Sequence, residues 1–255
     1  MKRLDAWLTD DCFAAHLIGH LHSTFSSVLN IKFGDRIITF SQRRGLPDSV
    51  AANGEILSIL RDLSQYEVIE KRGKSFFVNG EHLFDTVQKN SCFRLNVNAS
   101  EFLQAHKKLE ETSGYTNGFM VLPPAQTQTV IQNLKALAAA CYRNDVEEIF
   151  RVLPQCIGFG KGLTPSSDDA VIGILFAAYY GAVPPFFKDL REYRILDELT
   201  NEISLKYLYC AFESRFSKPL ADLSEIGIRE IYKIGSTSGA DLLFGMKLAF
   251  EELIC

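Results

Sequence analysis

The sequence lacks the features that would place it in several large classes. No apolar run approaches the ~20 residues that a membrane-spanning helix needs. The longest, Ala170 to Val183, is shorter and is interrupted by Gly173 and Gly181. Met1 to Asp11 is charged and has no apolar core of the kind a signal peptide carries. Both absences predict a cytoplasmic protein with no membrane partner. No CxxC pair occurs among the six cysteines, Cys12, Cys92, Cys141, Cys156, Cys210 and Cys255. That argues against a zinc knuckle and against a secreted disulfide framework, and the cysteines read as small buried hydrophobes. Basic charge is not in excess: the net charge is −4, so no nucleic-acid partner is expected. Histidine is missing from the C-terminal half. All five, His16, His20, His22, His82 and His106, precede Lys107, so the later serines have no local partner for a Ser-His-Asp arrangement. His16 and His20 have a metal-compatible spacing but no evident third ligand, and they read as surface or packing residues.

What is present divides the chain in two. Asp11 to His22 is apolar at helical spacing (Phe13, Leu17, Ile18, Leu21) and predicts a short helix. Strand signals follow. Ser27 to Phe33 and Arg36 to Ser41 flank Gly34-Asp35, and Val68 to Lys71 and Ser75 to Val78 flank Arg72-Gly73-Lys74. Both read as hairpins. Asn79-Gly80 is a further turn signal, and Cys92 to Val97 a further strand-like run. Beyond Pro123-Pro124 helical periodicity dominates. The expected helices are Thr129 to Arg143, Asp145 to Leu153, Ser166 to Tyr180, Arg194 to Phe216, Ser224 to Ile234 and Ala240 to Ile254. The expectation is an α+β protein: a β-rich N-terminal domain with hairpins, residues 1–122, then a mainly helical domain, residues 123–255.

Two runs in the helical half carry the candidate chemistry. The first spans Gly158 to Asp169, with Gly158, Gly160 and Gly162 at alternate positions, Lys161 between them, and then Thr164-Pro165-Ser166-Ser167-Asp168-Asp169. Such glycines let the backbone turn tightly and approach a ligand. Thr164-Pro165 reads as a helix opening with Thr164 at the N-cap, and the free N–H groups and dipole of a helix start favour an anion. The second run is Gly235-Ser236-Thr237-Ser238-Gly239-Ala240-Asp241. The two share the pattern [ST]-x-S-x-x-D-x-x-x-G: Thr164, Ser166, Asp169 and Gly173 match Ser236, Ser238, Asp241 and Gly245. Two similar helix starts are therefore expected to meet, with the glycines allowing close approach and Asp169 and Asp241 near each other. The competing reading is structural, because Ser166-x-x-Asp169 and Ser238-x-x-Asp241 also fit a capping box. A Walker A spacing is absent. Asp168, Asp169 and Asp241 are candidate ligands for Mg²⁺ through water and a substrate phosphate, with Asp168 the metal candidate. Asn201, Ser204 and Tyr207 share one stretch, and Ser204 and Tyr207 are candidate pocket walls.

On Gly160 to Asp169 and Gly235 to Gly245 the chain resembles the AllH family, also called YlbF, whose members carry a GxGLTPSxDD run and a later GHTSGADxLxG run. Ile203-Ser204, Tyr207-Leu208 and Phe216 to Leu220 also resemble family positions. Ser236 departs from the pattern, which has histidine there. The resemblance implies a subunit of oxamate carbamoyltransferase, interconverting oxalurate plus phosphate with oxamate plus carbamoyl phosphate in anaerobic allantoin (purine) catabolism. It implies partner subunits, including one of the FdrA type, and a small anionic substrate. In that reading Asp169, Asp241 and Ser238 serve the chemistry. Gly158, Gly160, Lys161, Gly162, Thr164, Ser166, Ser167, Ser236, Thr237 and Gly239 hold the substrate or its phosphate. A nucleotide-dependent kinase-like enzyme and a non-catalytic assembly subunit are the alternatives.

Overall fold

The computed structural model describes residues 3–63, 67–89, 98–113, 117–180, 190 and 194–254. The chain forms two compact units, Met1–Phe93 and Arg94–Cys255.

The first unit is a closed eight-stranded barrel. Its strands are β1 (Arg3–Trp7), β2 (His16–Thr24), β3 (Val28–Phe33), β4 (Arg36–Ser41), β5 (Ser49–Ala51), β6 (Ile69–Arg72), β7 (Ser75–Val78) and β8 (Glu81–Gln88), in the order β1-β5-β4-β3-β2-β6-β7-β8. β3 and β4 pair antiparallel, with Phe33 opposite Arg36 across Gly34 and Asp35. β8 closes the barrel by pairing parallel with β1. Closure removes the exposed edges that an open sheet would leave. Inside lie Leu29, Ile31, Phe33, Ile38, Phe40, Phe76 and Phe84. The Phe76 and Phe84 rings stack at 5.0 Å. Helix α2 (Gly54–Arg61), capped by Asn53 Oδ1 on Ile56 N–H at 2.9 Å, adds Ile56, Leu57 and Leu60 to this core.

The helix expected over Asp11 to His22 is corrected. Only α1 (Asp10–Ala14) is helical, and His16–Thr24 is strand. Leu17 and Leu21 pack on the barrel core while Ile18 is 58 % exposed. Leu17 and Leu21 fit a period of two as well as a helical spacing, with Ile18 on the opposite face, and pairing with β3 and β6 decides between them. Lys71, fully buried on β6, donates from Nζ to Cys12 O at 2.6 Å, Phe13 O at 2.8 Å and Gly73 O at 2.7 Å, tying α1 to the barrel. Cys92 to Val97, expected as a strand, lies outside the described residues.

The second unit is helical: α3 (Ala99–Ser113), α4 (Pro124–Arg143), α5 (Val146–Val152), α6 (Ser166–Tyr180), α7 (Glu202–Phe212), α8 (Glu225–Tyr232) and α9 (Ser238–Ile254). Pro123 and Pro124 open α4 within this unit, where a proline costs no helical hydrogen bond. α3 packs on α8 and α9. Helix α6 is buried on every side from Ser166 to Ala178, so it forms the centre. It packs on α9, α4 and α7. The single helix expected over Arg194 to Phe216 is corrected to a 3-10 turn at Arg194–Glu198 and then α7. Asn201 caps α7 by accepting from the Ile203 and Ser204 amides at 3.1 Å, and Ser214 at φ +60° ends it. No described helix is long and apolar enough to cross a membrane.

Candidate functional site

The two motifs start the two helices that pack most closely. A Cβ on Gly173 of α6 would overlap Leu242 O of α9, and a Cβ on Gly245 of α9 would overlap Ala170 O of α6. Each glycine meets the carbonyl three residues before its counterpart. The contact is thus reciprocal, as expected for two equivalent turns related by a local two-fold. Glycine at both positions lets the backbones touch, which brings the two helix starts to one place.

The loop before α6 is folded back on that helix. Gly158, at φ +89°, turns where a Cβ would overlap Leu199 O. Its N–H donates to Asp168 Oδ1 at 2.6 Å. Phe159 N–H donates to Ser167 Oγ at 2.8 Å, and Ser167 N–H to Phe159 O at 2.9 Å. Gly160, at φ +122°, lies against the Ser166 amide with no space for a side chain. Lys161, Gly162 and Leu163 are exposed at the tip.

Asp168, the expected metal candidate, has four donors instead. Gly158 N–H and Ser167 Oγ donate to Oδ1, and Thr200 Oγ1 and Ser204 Oγ, both at 2.5 Å, donate to Oδ2. Burial raises its carboxyl, and these donors oppose the shift. Its oxygens are committed to joining the loop to the start of α7. Ser204, expected as a pocket wall, is buried in that joint. Tyr207 is half-buried and carries Lys206 Nζ 4.8 Å from its ring centre. Among the described residues no three His, Cys, Asp or Glu side chains come together as a metal-binding set.

Neither predicted capping box forms. The Asp168 and Asp169 amides donate to Pro165 O, so Pro165 precedes the helix and Thr164 is not its cap. Thr164 Oγ1 instead meets Ser238 Oγ of the second motif at 3.0 Å. The Asp241 amide donates to Thr237 O, while the Asp241 carboxylate turns away and accepts from Gly118 N–H at 2.8 Å. Gly118 begins a 3-10 turn, Gly118–Val121, where a Cβ would overlap Ser166 Oγ and crowd Thr237 Oγ1 and Asp241 Oδ2. Ser236 is exposed, Thr237 and Ser238 are half-buried, and Gly239 is buried with its N–H on Ile234 O.

Three oxygens at this junction accept and donate no hydrogen bond among the described residues: Ser166 Oγ, Asp169 Oδ2 and Asp241 Oδ2. Their residues are 1 %, 5 % and 0 % exposed. Burial drives the Asp169 carboxyl well above its ordinary range. The Thr164 and Ser238 hydroxyls oppose that shift, and the Asp241 and Asp168 charges add to it. Burial pushes Asp241 up to about 6, opposed first by the Gly118 amide and then by the nearby Ser166 and Thr237 hydroxyls. Two acidic groups that burial raises toward neutral pH, Asp169 further than Asp241, can give and take protons there.

Gly118 and Thr200 were not singled out by sequence. Asn117-Gly118 is a turn signal, but nothing local points across to Asp241, 123 positions away. No solved structure matches the chain. Residues 156–250, which hold both helix starts and everything between them, match the family model described as oxamate carbamoyltransferase subunit AllH.

Proposed function

We propose that this chain is a subunit of an oxamate-type carbamoyltransferase and that the junction of the α6 and α9 starts is its substrate site. The observation that carries the reading is the Thr164–Ser238 contact at 3.0 Å above two buried acids. Capping alone calls for neither, and both belong to the segment that matches the carbamoyltransferase subunit family. A small anion such as phosphate or oxamate would meet the half-buried hydroxyls of Thr164, Thr237 and Ser238, the exposed Ser236, and the cation of Lys161. Two helix starts add positive potential. Transfer would join a phosphate oxygen to the carbamoyl carbon and break the carbamoyl C–N bond, with the hydroxyls positioning both reactants. The Asp168 joint would keep the Gly158–Gly162 loop in place while this occurs. Partner subunits, including one of the FdrA type, complete the enzyme in this reading, and allantoin catabolism is its setting.

The test is reconstitution of the chain with its partner subunits, supplied with oxalurate and phosphate. Carbamoyl phosphate and oxamate are expected as products. Asp169→Asn is expected to lower kcat at least about 100-fold, the scale of a lost acid–base group, and Lys161→Ala to raise the KM for phosphate. An active assembly indifferent to both substitutions would move the chemistry to another subunit and make this chain an assembly component.

A further inference from the structure

The unpartnered oxygens at the α6–α9 junction constrain what can satisfy them. Asp169 Oδ2, Asp241 Oδ2 and Ser166 Oγ have essentially no accessible surface. Two charges side by side in such a place, with one oxygen of each carboxylate unpartnered, are strongly disfavoured. The helices leave little freedom to relax, because Gly173 and Gly245 already bring backbone onto backbone. A hydrated cation or a substrate group needs room that sealed atoms do not offer, whereas a proton needs none. The Asp241 charge acts directly on Asp169, and neighbouring buried carboxyls titrate as a pair.

The pair also has a way out. Thr164 and Ser238 are half-buried, their hydroxyl oxygens are 3.0 Å apart, and both act on the Asp169 carboxyl. Asp169 therefore lies one hydroxyl away from solvent. The charged groups acting on it are Asp241 from α9 and Asp168 from α6, both acidic. From the 3-10 turn the facing group is the neutral Gly118 amide, and from α7 it is the neutral Ser204, which serves Asp168. On the loop the one cation, Lys161, is exposed.

We propose that Asp169 and Asp241 hold one proton between them at neutral pH, and that the Thr164–Ser238 hydroxyl pair carries it between Asp169 and a substrate nitrogen at the rim. The presence of the proton stands on the junction alone; its use rests on the carbamoyl-transfer reading. In that use the carbamoyl C–N bond breaks and its electron pair goes to the departing nitrogen. That nitrogen takes a proton from Ser238 Oγ, which takes one from Asp169. The attacking hydrogen phosphate loses its proton as its oxygen bonds to the carbamoyl carbon, and this proton returns to the acid pair. Atoms and charge balance with no further reactant.

Infrared spectroscopy of the purified full-length chain tests the shared proton. A carbonyl band of a protonated carboxylic acid is expected at neutral pH, shifted in D₂O and lost in Asp169→Asn, with circular dichroism confirming that the variant is folded. A wild-type spectrum without that band overturns the proposal, as does a band that survives in both Asp169→Asn and Asp241→Asn. The relay is tested in the reconstituted assembly. Ser238→Ala is expected to lower kcat about 100-fold, a larger effect than the rise in KM from the lost hydroxyl, and Ser238→Thr to restore most of the rate. Wild-type kcat in Ser238→Ala overturns the relay. An assembly that makes no carbamoyl phosphate although the band is present sinks the transfer reading while supporting the shared proton.

Discussion

At the scale of single residues, the junction depends on glycines chosen for what they leave out. Alanine in place of a helix-interior glycine ordinarily stabilises by about 1 kcal/mol. At Gly173 and Gly245 the added methyl would overlap the facing main-chain carbonyls of Leu242 and Ala170. Backbone cannot swing aside as a flexible side chain can, so the sign reverses. Gly173→Ala and Gly245→Ala are each expected to lose about 2 kcal/mol or more, the cost of overpacking, read from the urea midpoint at constant slope. A gain in either variant would mean that the helices are not in contact there. These two glycines were legible, because the repeated pattern placed them four residues after equivalent aspartates on the same helix face. Gly118 was not legible. Its role is set by Asp241, far along the chain, and no periodicity or local pattern encodes such a partner.

At the scale of elements, the helix starts differ from what their sequences advertise. Ser-x-x-Asp fits a capping box, yet the Asp169 and Asp241 amides are satisfied by main-chain carbonyls and the carboxylates turn elsewhere. A local motif predicts local satisfaction, and packing against a second copy of the motif overrides it. The same limit explains the two misjudged helices. The His16–Thr24 run satisfies both a helical and an alternating template, and only its neighbours in the barrel decide. The break before α7 arises from Asn201 capping a new helix, a signal that the apolar periodicity on both sides obscures. By contrast, α6 was legible at its observed limits because its start is marked by Pro165 and its length by the apolar run from Ala170, broken within the helix only by Gly173. Asp168 joins loop, α6 and α7 through four donors. Asp168→Ala is expected to cost about 3 kcal/mol by leaving those donors unpaired. Asp168→Asn should cost less, since the Thr200 and Ser204 hydroxyls can reverse and accept. Faster hydrogen exchange of the Gly158 amide in Asp168→Ala would locate the loss. An unchanged exchange rate would mean that the loop holds its shape without the carboxylate.

At the scale of the whole molecule, β-rich and helical halves were readable from the change of periodicity along the chain, whereas barrel closure was not, because a parallel β1–β8 pairing joins the two ends of the strand series. Within the helical unit two buried systems respond to acid in opposite ways. Asp241, raised from 3.8 to about 6, is held by the fold in its protonated form. Its contribution is therefore complete below the ordinary value and is lost as pH rises through about 6. His106 lies between Tyr232, whose hydroxyl is 3.1 Å from Nε2, and Glu110. Burial first, and then the Lys247 charge, lower it from 6.5 to about 4. Its contribution is complete above the ordinary value and is lost as pH falls through about 4. At about 1.4 kcal/mol per pH unit, each difference is worth about 3 kcal/mol. The two largely offset one another across the interval they share, and single substitutions should expose them. Relative to wild type, Asp241→Asn is expected to gain up to about 3 kcal/mol as pH rises from about 3.8 to about 6 and to hold that gain above it, helped by an amide that can donate to Ser166 Oγ. His106→Gln should gain on wild type as pH falls from about 6.5 to about 4. The chain's one tryptophan, Trp7, lies in the barrel, so helical ellipticity is the signal that follows this unit. Two difference curves tilted in opposite directions are the expected result. Flat or parallel curves would mean that the junction acids and the His106–Tyr232 contact are not buried as described, and the shared proton would lose its physical basis with them.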